Sequence, residues 1–280
     1  MASRRREAPG VAERDGEVSA FAEFVGARAV VTGGGQGIGA AIAAGLADRG
    51  AHVLVSGRRQ ATLDAVCASI TAGGGSAEGC AGDITDPDHV HRLMALAGGS
   101  EGVIDILVNN AGIPGPTAPL VEVTLAEWEE TIAVNLTGVF LACKLAVPYL
   151  ERAAHGKIVN IGSVTGKQPL VNRAPYAAAK LGVVGLTRTL AHELGPSGIN
   201  VNVISPWLVG GERLDSVIAT MAKERGVSTD ELRAEMTAGT AFKRTVSEAE
   251  VVEMTLFLSS TASSSITGQD INVSAGAVMY

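Results

Sequence analysis

The sequence predicts an α/β protein: one doubly wound domain with a mostly parallel sheet and helices on both faces. Three observations lead there. From residue 25 onward, short β-branched runs alternate with longer amphipathic segments, the pattern of parallel strands joined by right-handed helical crossovers. Glycine supplies 35 of 280 residues without any Gly-X-Y period, so its excess implies backbone packed closely against something, not collagen. Hydrophobic residues reach 46% while charged ones stop at 18%, which excludes a disordered chain.

The elements follow in order. Residues 1–24 carry Arg4, Arg5 and Arg6 and then mixed charges with no apolar segment behind them, so a polar, mobile tail is expected and a signal peptide is not. Strands are expected at 28–32, 52–56, 104–109, 157–161, 200–204 and 270–273, with a further one just before Gly82; each is short and apolar, as strands buried on both faces should be. Helix ends are readable between them. Asp86-Pro87 reads as an N-cap with proline at the first position. Thr124 with Glu127, and Ser247 with Glu250, read as capping boxes. Gly195-Pro196 stops a helix over 176–193. Residues 207–245 hold helical pieces but no strand and follow a strand end, which predicts a substrate lid beside the sheet. No linker or repeat divides 25–280, so a single domain is expected there.

Composition excludes several classes. A net charge of −7 argues against a general nucleic-acid binder. The longest apolar candidate, 138–150, is interrupted by Lys144 and Pro148, so no membrane-spanning helix is expected. Cys67, Cys80 and Cys143 form no C-x-x-C pair, and with five histidines they fit reduced thiols in a cytoplasmic protein better than a disulfide framework or a metal site.

The first strand runs into Thr32-Gly33-Gly34-Gly35-Gln36-Gly37-Ile38-Gly39 and then a helix. Glycines allow backbone N–H groups to approach a phosphate, and the helix N-terminus offers its positive end. A glycine cluster alone is a weak signal, but strand before and helix after is the context a dinucleotide site requires. Contacts are expected from Gly33, Gln36, Gly37, Ile38 and Gly39. The second strand ends in Ser56-Gly57-Arg58-Arg59. It lacks the acid that would bind a ribose 2′-hydroxyl, and its guanidinium groups suit a 2′-phosphate; NADP(H) is favoured over NAD(H). Asp83 and Ile84 follow the third strand and are placed for the adenine.

Tyr176 and Lys180 stand at i and i+4, on one helical face. A phenol is a poor acid or base at neutral pH, and an ammonium beside it favours its charged form. Ser163 lies thirteen residues earlier, after the strand at 157–161. Singly these are chance-level; with the glycine loop they form a set.

On that set the chain resembles the short-chain dehydrogenase/reductase family in its single-domain branch, from about residue 25 to 276. The motifs are Thr32-Gly33-x-x-x-Gly37-x-Gly39, Asn109-Asn110-Ala111-Gly112, Asn135 in Val134-Asn135-Leu136, Ser163, Tyr176-x-x-x-Lys180 and Thr267-Gly268-Gln269. The strings around Ser163 and Tyr176 look like bacterial 3-oxoacyl-carrier-protein reductases. The resemblance implies a Rossmann-type fold. It implies that Tyr176 is general acid or base, that Lys180 binds the nicotinamide ribose and acts on Tyr176, that Ser163 positions the carbonyl, and that Asn135 holds a relay water. It places Asn110, Ala111, Gly112 and Pro206 at the cofactor, and Asn109 as a brace of the sheet. Two departures stand out: Trp207 follows Pro206 where the family has glycine, and Gly211 stands where a threonine often contacts the cofactor. Trp207 is a candidate pocket wall, with Ser163 and Thr165.

The expected activity is an NADP(H)-dependent ketoreductase or secondary-alcohol dehydrogenase on a neutral, medium-sized small molecule. The alternatives are a 3-oxoacyl-thioester reductase and a non-catalytic dinucleotide-sensing regulator. Lys167 and Arg173 are read as solvated loop charges. The helices over 141–150 and 181–190 are where the family forms a dimer seam, so a homodimer or homotetramer is expected, with 275–280 at a second interface.

Overall fold

The computed structural model describes residues 23–168 and 170–280. The expected tail lies outside them except for its last two residues. Phe24 is buried and its N–H donates to the Arg49 carbonyl at 2.9 Å.

Seven strands form one sheet: β1 (Arg28–Thr32), β2 (His52–Gly57), β3 (Ser76–Ala81), β4 (Ile106–Asn109), β5 (Lys157–Ile161), β6 (Asn200–Pro206) and β7 (Asp270–Val273). Their order is β3-β2-β1-β4-β5-β6-β7, and every pairing is parallel. The expected strand at 104–109 is shorter than read: Val103 and Ile104 are buried, but their N–H groups go to Gly98 and Tyr149 carbonyls instead of a ladder. β3, Ser-Ala-Glu-Gly-Cys-Ala, is an edge strand without β-branched residues, so its pattern marks no clear bounds.

Side chains alternate between two cores, as the period of two requires. Ala29, Val31, Val53 and Val55 face a layer with α1 (Gly37–Asp48), α2 (Gln60–Ala72) and α9 (Glu248–Ser259). Val30 and Leu54 face the other, with α3 (Pro87–Gly98), α5 (Gly138–Leu150) and α6 (Ala174–Leu194). Both faces being covered explains the low charged fraction, since each buried aliphatic side chain contributes about 1.5–3 kcal/mol.

The expected caps form. Asp86 accepts from the Asp88 N–H, and Thr124/Glu127 and Ser247/Glu250 are reciprocal boxes heading α4 (Leu125–Ile132) and α9. Between α4 and α5 the chain does not break. It widens into a π-type segment, Ala133–Thr137, so Leu125–Leu150 is a continuous helix of 26 residues with mean hydropathy 1.6 in its most apolar window. By length and composition alone this helix could cross a membrane, and it is longer than the candidate at 138–150 from which no membrane-spanning helix was expected. Its inward side is nevertheless built into the protein: Asn135 bonds to the loop after β4 and to the Thr131 carbonyl, and Cys143 accepts from Asn109.

The segment at 207–245 contains α7 (Glu212–Arg225) and α8 (Thr229–Thr237), which share a small core of Ile218, Ala222 and Leu232. A single parallel bridge, Val209 to Val246, closes its base.

Candidate active site

The chain reverses its direction across the sheet between β1 and β4, and the crevice at their carboxyl ends is where ligands bind in such sheets. Thr32 ends β1, and its Oγ1 accepts from the Asn110 and Ala111 N–H groups at 3.1 and 3.2 Å. Asn110 Nδ2 donates back to the Thr32 and Gly33 carbonyls at 3.2 and 3.0 Å. The glycine loop and the Asn-Asn-Ala-Gly motif are thus sewn together across the switch point.

That sewing dictates two glycines. Gly33 has φ of +66°, and a Cβ there would lie 2.6 Å from Ala111 Cα. A Cβ on Gly39 would lie 2.3 Å from Asn110 Nδ2 and 2.4 Å from the Gly33 carbonyl oxygen. Gln36 caps α1 with extended backbone but gives it no side-chain bond, so the first N–H groups of α1 remain available to an anion. Arg59 donates to Gln36 Oε1 at 2.6 Å, which brings one of the paired arginines to the loop; Arg58 is exposed beside it. Asp83 accepts from the Thr85 N–H and hydroxyl at 2.8 and 2.7 Å. These bonds hold its carboxyl below the usual range, with help from Arg58. A bare glycine cradle, an uncapped helix start and flanking arginines fit a dinucleotide phosphate.

His89 was not singled out from sequence. Its buried Nε2 lies 3.0 Å from Ser56 Oγ, and its ring fills the space a Gly82 side chain would need. Burial, and then Arg92, hold its pKa down. Its packing under Gly82 shapes the Asp83–Ile84 turn, and Ile84 is buried.

The second half of the crevice is built by β5 and α6. Ser163 follows β5 and heads the turn Val164–Gly166, where its Oγ accepts from the Thr165 N–H at 3.1 Å. The hydroxyl proton is left to donate elsewhere. Gly166 sits against α6, since a Cβ there would lie 2.9 Å from the Leu181 nitrogen and 3.1 Å from the Lys180 carbonyl carbon. Pro175 in the first turn of α6 costs no hydrogen bond. Lys180 is buried; its Nζ donates to the Ile161 carbonyl at 2.8 Å and lies 5.7 Å from the Tyr176 ring centre. Asn135 is fully buried in the π segment. Its Oδ1 accepts from the Ile113 N–H at 3.2 Å, and its Nδ2 donates to the Ile113 and Thr131 carbonyls at 3.0 and 2.9 Å. One N–H goes to the loop after Gly112 and the other to the Thr131 carbonyl on α4, so the side chain ties that loop to the helix. Asn109 braces too: it donates to Asn160 Oδ1, and Asn160 donates to Thr187 Oγ1 on α6.

Two charges read as solvated loop charges have fixed partners, although Arg173 stays partly exposed. Lys167 ends the turn that Ser163 begins, and its Nζ lies 2.9 Å from Asp270 Oδ2 and hydrogen-bonds Asn272, both on β7. The paired side chains are 11% and 4% exposed, and Asp270 also accepts from Ser205 Oγ at 2.6 Å. The partners stand about a hundred residues away in sequence, so no local pattern announces them. Arg173 stacks on the Tyr176 ring at 4.9 Å and donates to Thr117 Oγ1 at 2.9 Å.

Pro206 ends β6 beside this turn region, and Trp207 extends the pairing by donating its N–H to the Val273 carbonyl at 3.1 Å. The Trp207 ring is half-buried, and its Nε1 has no hydrogen-bond partner among the described residues. Gly211 caps α7 with φ of 142°. A groove of about 720 Å³ lies away from this centre. It lies between α9, β7 and the C-terminal residues.

Residues 27–222 match the model of the short chain dehydrogenase family. The chain belongs to that family. Cis-4-hydroxycyclohexanecarboxylate dehydrogenase of Sinomonas cyclohexanicum is 39% identical, covering 92% of this chain and 97% of its own length. A 3-oxoacyl-[acyl-carrier-protein] reductase of Synechocystis is 36% identical, covering 90% and 97%. Among solved structures, actinorhodin polyketide ketoreductase with NADPH aligns at TM-score 0.83 and 36% identity, covering 90% and 97%. NAD+-bound xylitol dehydrogenase aligns at TM-score 0.83 and 28% identity, covering 90% and 98%. Family membership makes this an oxidoreductase of the CH–OH/C=O couple that uses a nicotinamide dinucleotide.

Proposed function

We propose that the protein is an NADP(H)-dependent ketoreductase or secondary-alcohol dehydrogenase that uses Tyr176 as general acid and base. The observation that carries the reading is Lys180, buried between the Ile161 carbonyl and the Tyr176 ring, on the helix against which the Ser163 turn packs. Relatives named as ketoreductases and 3-oxoacyl reductases support it.

When bound, the cofactor supplies or accepts the hydride. The chain does the rest. Ser163 donates its free hydroxyl proton to the carbonyl oxygen and orients it. Tyr176 donates its phenolic proton to the same oxygen as the alcohol forms, or removes it in the reverse direction. The Lys180 ammonium stabilises the phenolate that remains. Asn135 keeps Gly112 and Ile113 in place beside Lys180, and a relay water would be held by its backbone, because its side-chain N–H groups are taken. Gly33, Gln36, Gly37, Ile38 and Gly39 receive the pyrophosphate; Asp83, Ile84, Asn110, Ala111, Gly112 and Pro206 flank the remainder. Arg58 and Arg59 suit a 2′-phosphate, the basis for NADP(H).

The 3-oxoacyl-thioester reading is kept because a relative of similar identity bears that name. A purely sensing role would leave the Ser163, Tyr176 and Lys180 set without a purpose. Trp207 and Thr165 are assigned to the pocket wall, so Trp207→Gly should change the ranking of ketone substrates. Phe140 and Leu181, 44% and 53% exposed on α5 and α6, support a homodimer or homotetramer with these helices at the seam. The function is tested with a panel of ketones and purified protein, comparing NADPH with NADH. Oxidation of NADPH is expected. A tenfold preference for NADH would refute the Arg58 argument, and no oxidation with any ketone would refute the ketoreductase reading.

A further inference from the structure

Two loops meet at the mouth of the site. The Ala118 N–H donates to the Asn172 carbonyl at 3.1 Å, and Asn172 takes a left-handed backbone, φ 65°, at that joint. Next to the joint, Arg173 is held at both sides, by Thr117 Oγ1 and by the face of the Tyr176 ring. A long, rotamer-rich side chain is thereby fixed before any ligand arrives, which lowers the cost of using it for binding. Among the described residues no carboxylate pairs with Arg173, although four of the other arginines, Arg49, Arg225, Arg233 and Arg244, each have at least one. Thr117 uses one of its five N–H donors, and the rest of the fork has the geometry of a carboxylate acceptor's partner. The joined loops also expose apolar side chains: Leu120 at 67%, Val121 at 93% and Val171 at 87%. A preset cation on the reacting phenol, amid apolar surface, matches a substrate with a hydrocarbon body and one anionic end.

We propose that Arg173 is the specificity-determining residue of this site and selects ketones or alcohols that carry a carboxylate about one ring's length from the reacting carbon. The proposal rests on the ketoreductase reading above and replaces the neutral substrate that sequence alone suggested. The Tyr176 ring sets the length: the carbonyl oxygen meets the phenol hydroxyl while the carboxylate meets the guanidinium stacked on the same ring. The carboxylate is untouched by the chemistry. Its contact is the same in ground and transition states, so its loss appears in KM rather than kcat. The contact is a hydrogen bond between charged groups, and the partial exposure of Arg173 keeps it at the low end of such bonds, roughly ten- to thirtyfold in selectivity.

The test compares 4-oxocyclohexanecarboxylate with its methyl ester under NADPH, in wild type, Arg173→Gln and Arg173→Lys. Wild type is expected to favour the carboxylate at least tenfold in kcat/KM. Arg173→Gln should lose at least tenfold more on the carboxylate than on the ester, through KM, and Arg173→Lys should recover part of the difference. Equal losses on both substrates would overturn the proposal, because Arg173 would then be acting through Tyr176 alone. Absence of any carboxylate preference in wild type would also overturn it. A calorimetric titration of cyclohexanecarboxylate into the NADP+-mixed protein reads the same contact without turnover. Binding that weakens at least tenfold in Arg173→Gln is expected, and no binding to wild type overturns the proposal. Failure of the ketoreductase reading looks different: neither ketone would oxidise NADPH.

Discussion

Replacing Lys167 by methionine isolates the buried ion pair beneath the Ser163 turn. Asp270 would keep the hydrogen bond from Ser205 but lose the one cation within ion-pair distance among the described residues. With both side chains almost wholly enclosed, a carboxylate left unpaired costs about 3–5 kcal/mol. For a chain of this length about 2–4 °C of Tm goes with each kcal/mol, so Lys167→Met should lower Tm by roughly 6–20 °C. The double variant Lys167→Met/Asp270→Leu removes both charges and should regain most of the loss, since an apolar replacement of a buried pair is often neutral. Thermal and urea denaturation of wild type, single and double variants measure the cycle. A single variant within about 1 kcal/mol of wild type would mean a solvated pair, and the assignment of Lys167 as an anchor of the catalytic turn would fail. Because the turn it anchors carries Ser163, the single variant should also lose more in kcat than in NADPH affinity.

Lys157 is packed at the start of β5 with its Nζ on Asn200 Oδ1 at 2.7 Å, and burial pulls its pKa down from 10.5 to about 8. Its folded value lies below its unfolded one, so the unfolded chain binds the extra proton between pH 8 and 10.5, and this residue's contribution to stability rises with pH across that window. Lys157→Met should flatten that rise; urea midpoints at pH 7 and pH 10 that shift in parallel with wild type would contradict it. Asn135→Ala removes two hydrogen bonds to the loop at Ile113 and one to the Thr131 carbonyl, each with a net worth of about 1 kcal/mol. It should destabilise by roughly 2–4 kcal/mol and reduce kcat; unchanged denaturation would show that the amide is not the brace.

Much of the architecture was legible because it is written locally. The alternation of β-branched runs and amphipathic segments sets the strands, and Asp86, Thr124 and Ser247 announce helix starts through their own side chains. The same signal at Ser228, with Glu231 three residues on, heads α8 and could have been read. The π segment at Asn135 could not, because in the apolar stretch around it a helix and a widened helix leave the same pattern. The candidate site divides in the same way. Gly33, Gly39, Ser163, Tyr176 and Lys180 announce themselves by spacing within short windows. Lys167 and Arg173 do not, since what fixes them is Asp270 on the far strand β7 and Thr117 on another loop. Charge in a loop sequence reads as solvated until the partner is known, which is why both were misread. His89 was missed for a related reason: only the fold sets its ring against Gly82.

On the proposed mechanism Tyr176 moves the proton while the glycine loop holds the cofactor. Tyr176→Phe removes one hydroxyl and leaves Gly33, Gly39 and Lys180 untouched. Measured side by side, NADPH binding by fluorescence titration should stay within about threefold of wild type, while ketone-dependent NADPH oxidation should fall by 10²-fold or more, the usual worth of a positioned acid. Turnover retained near the wild-type rate in Tyr176→Phe would contradict the account.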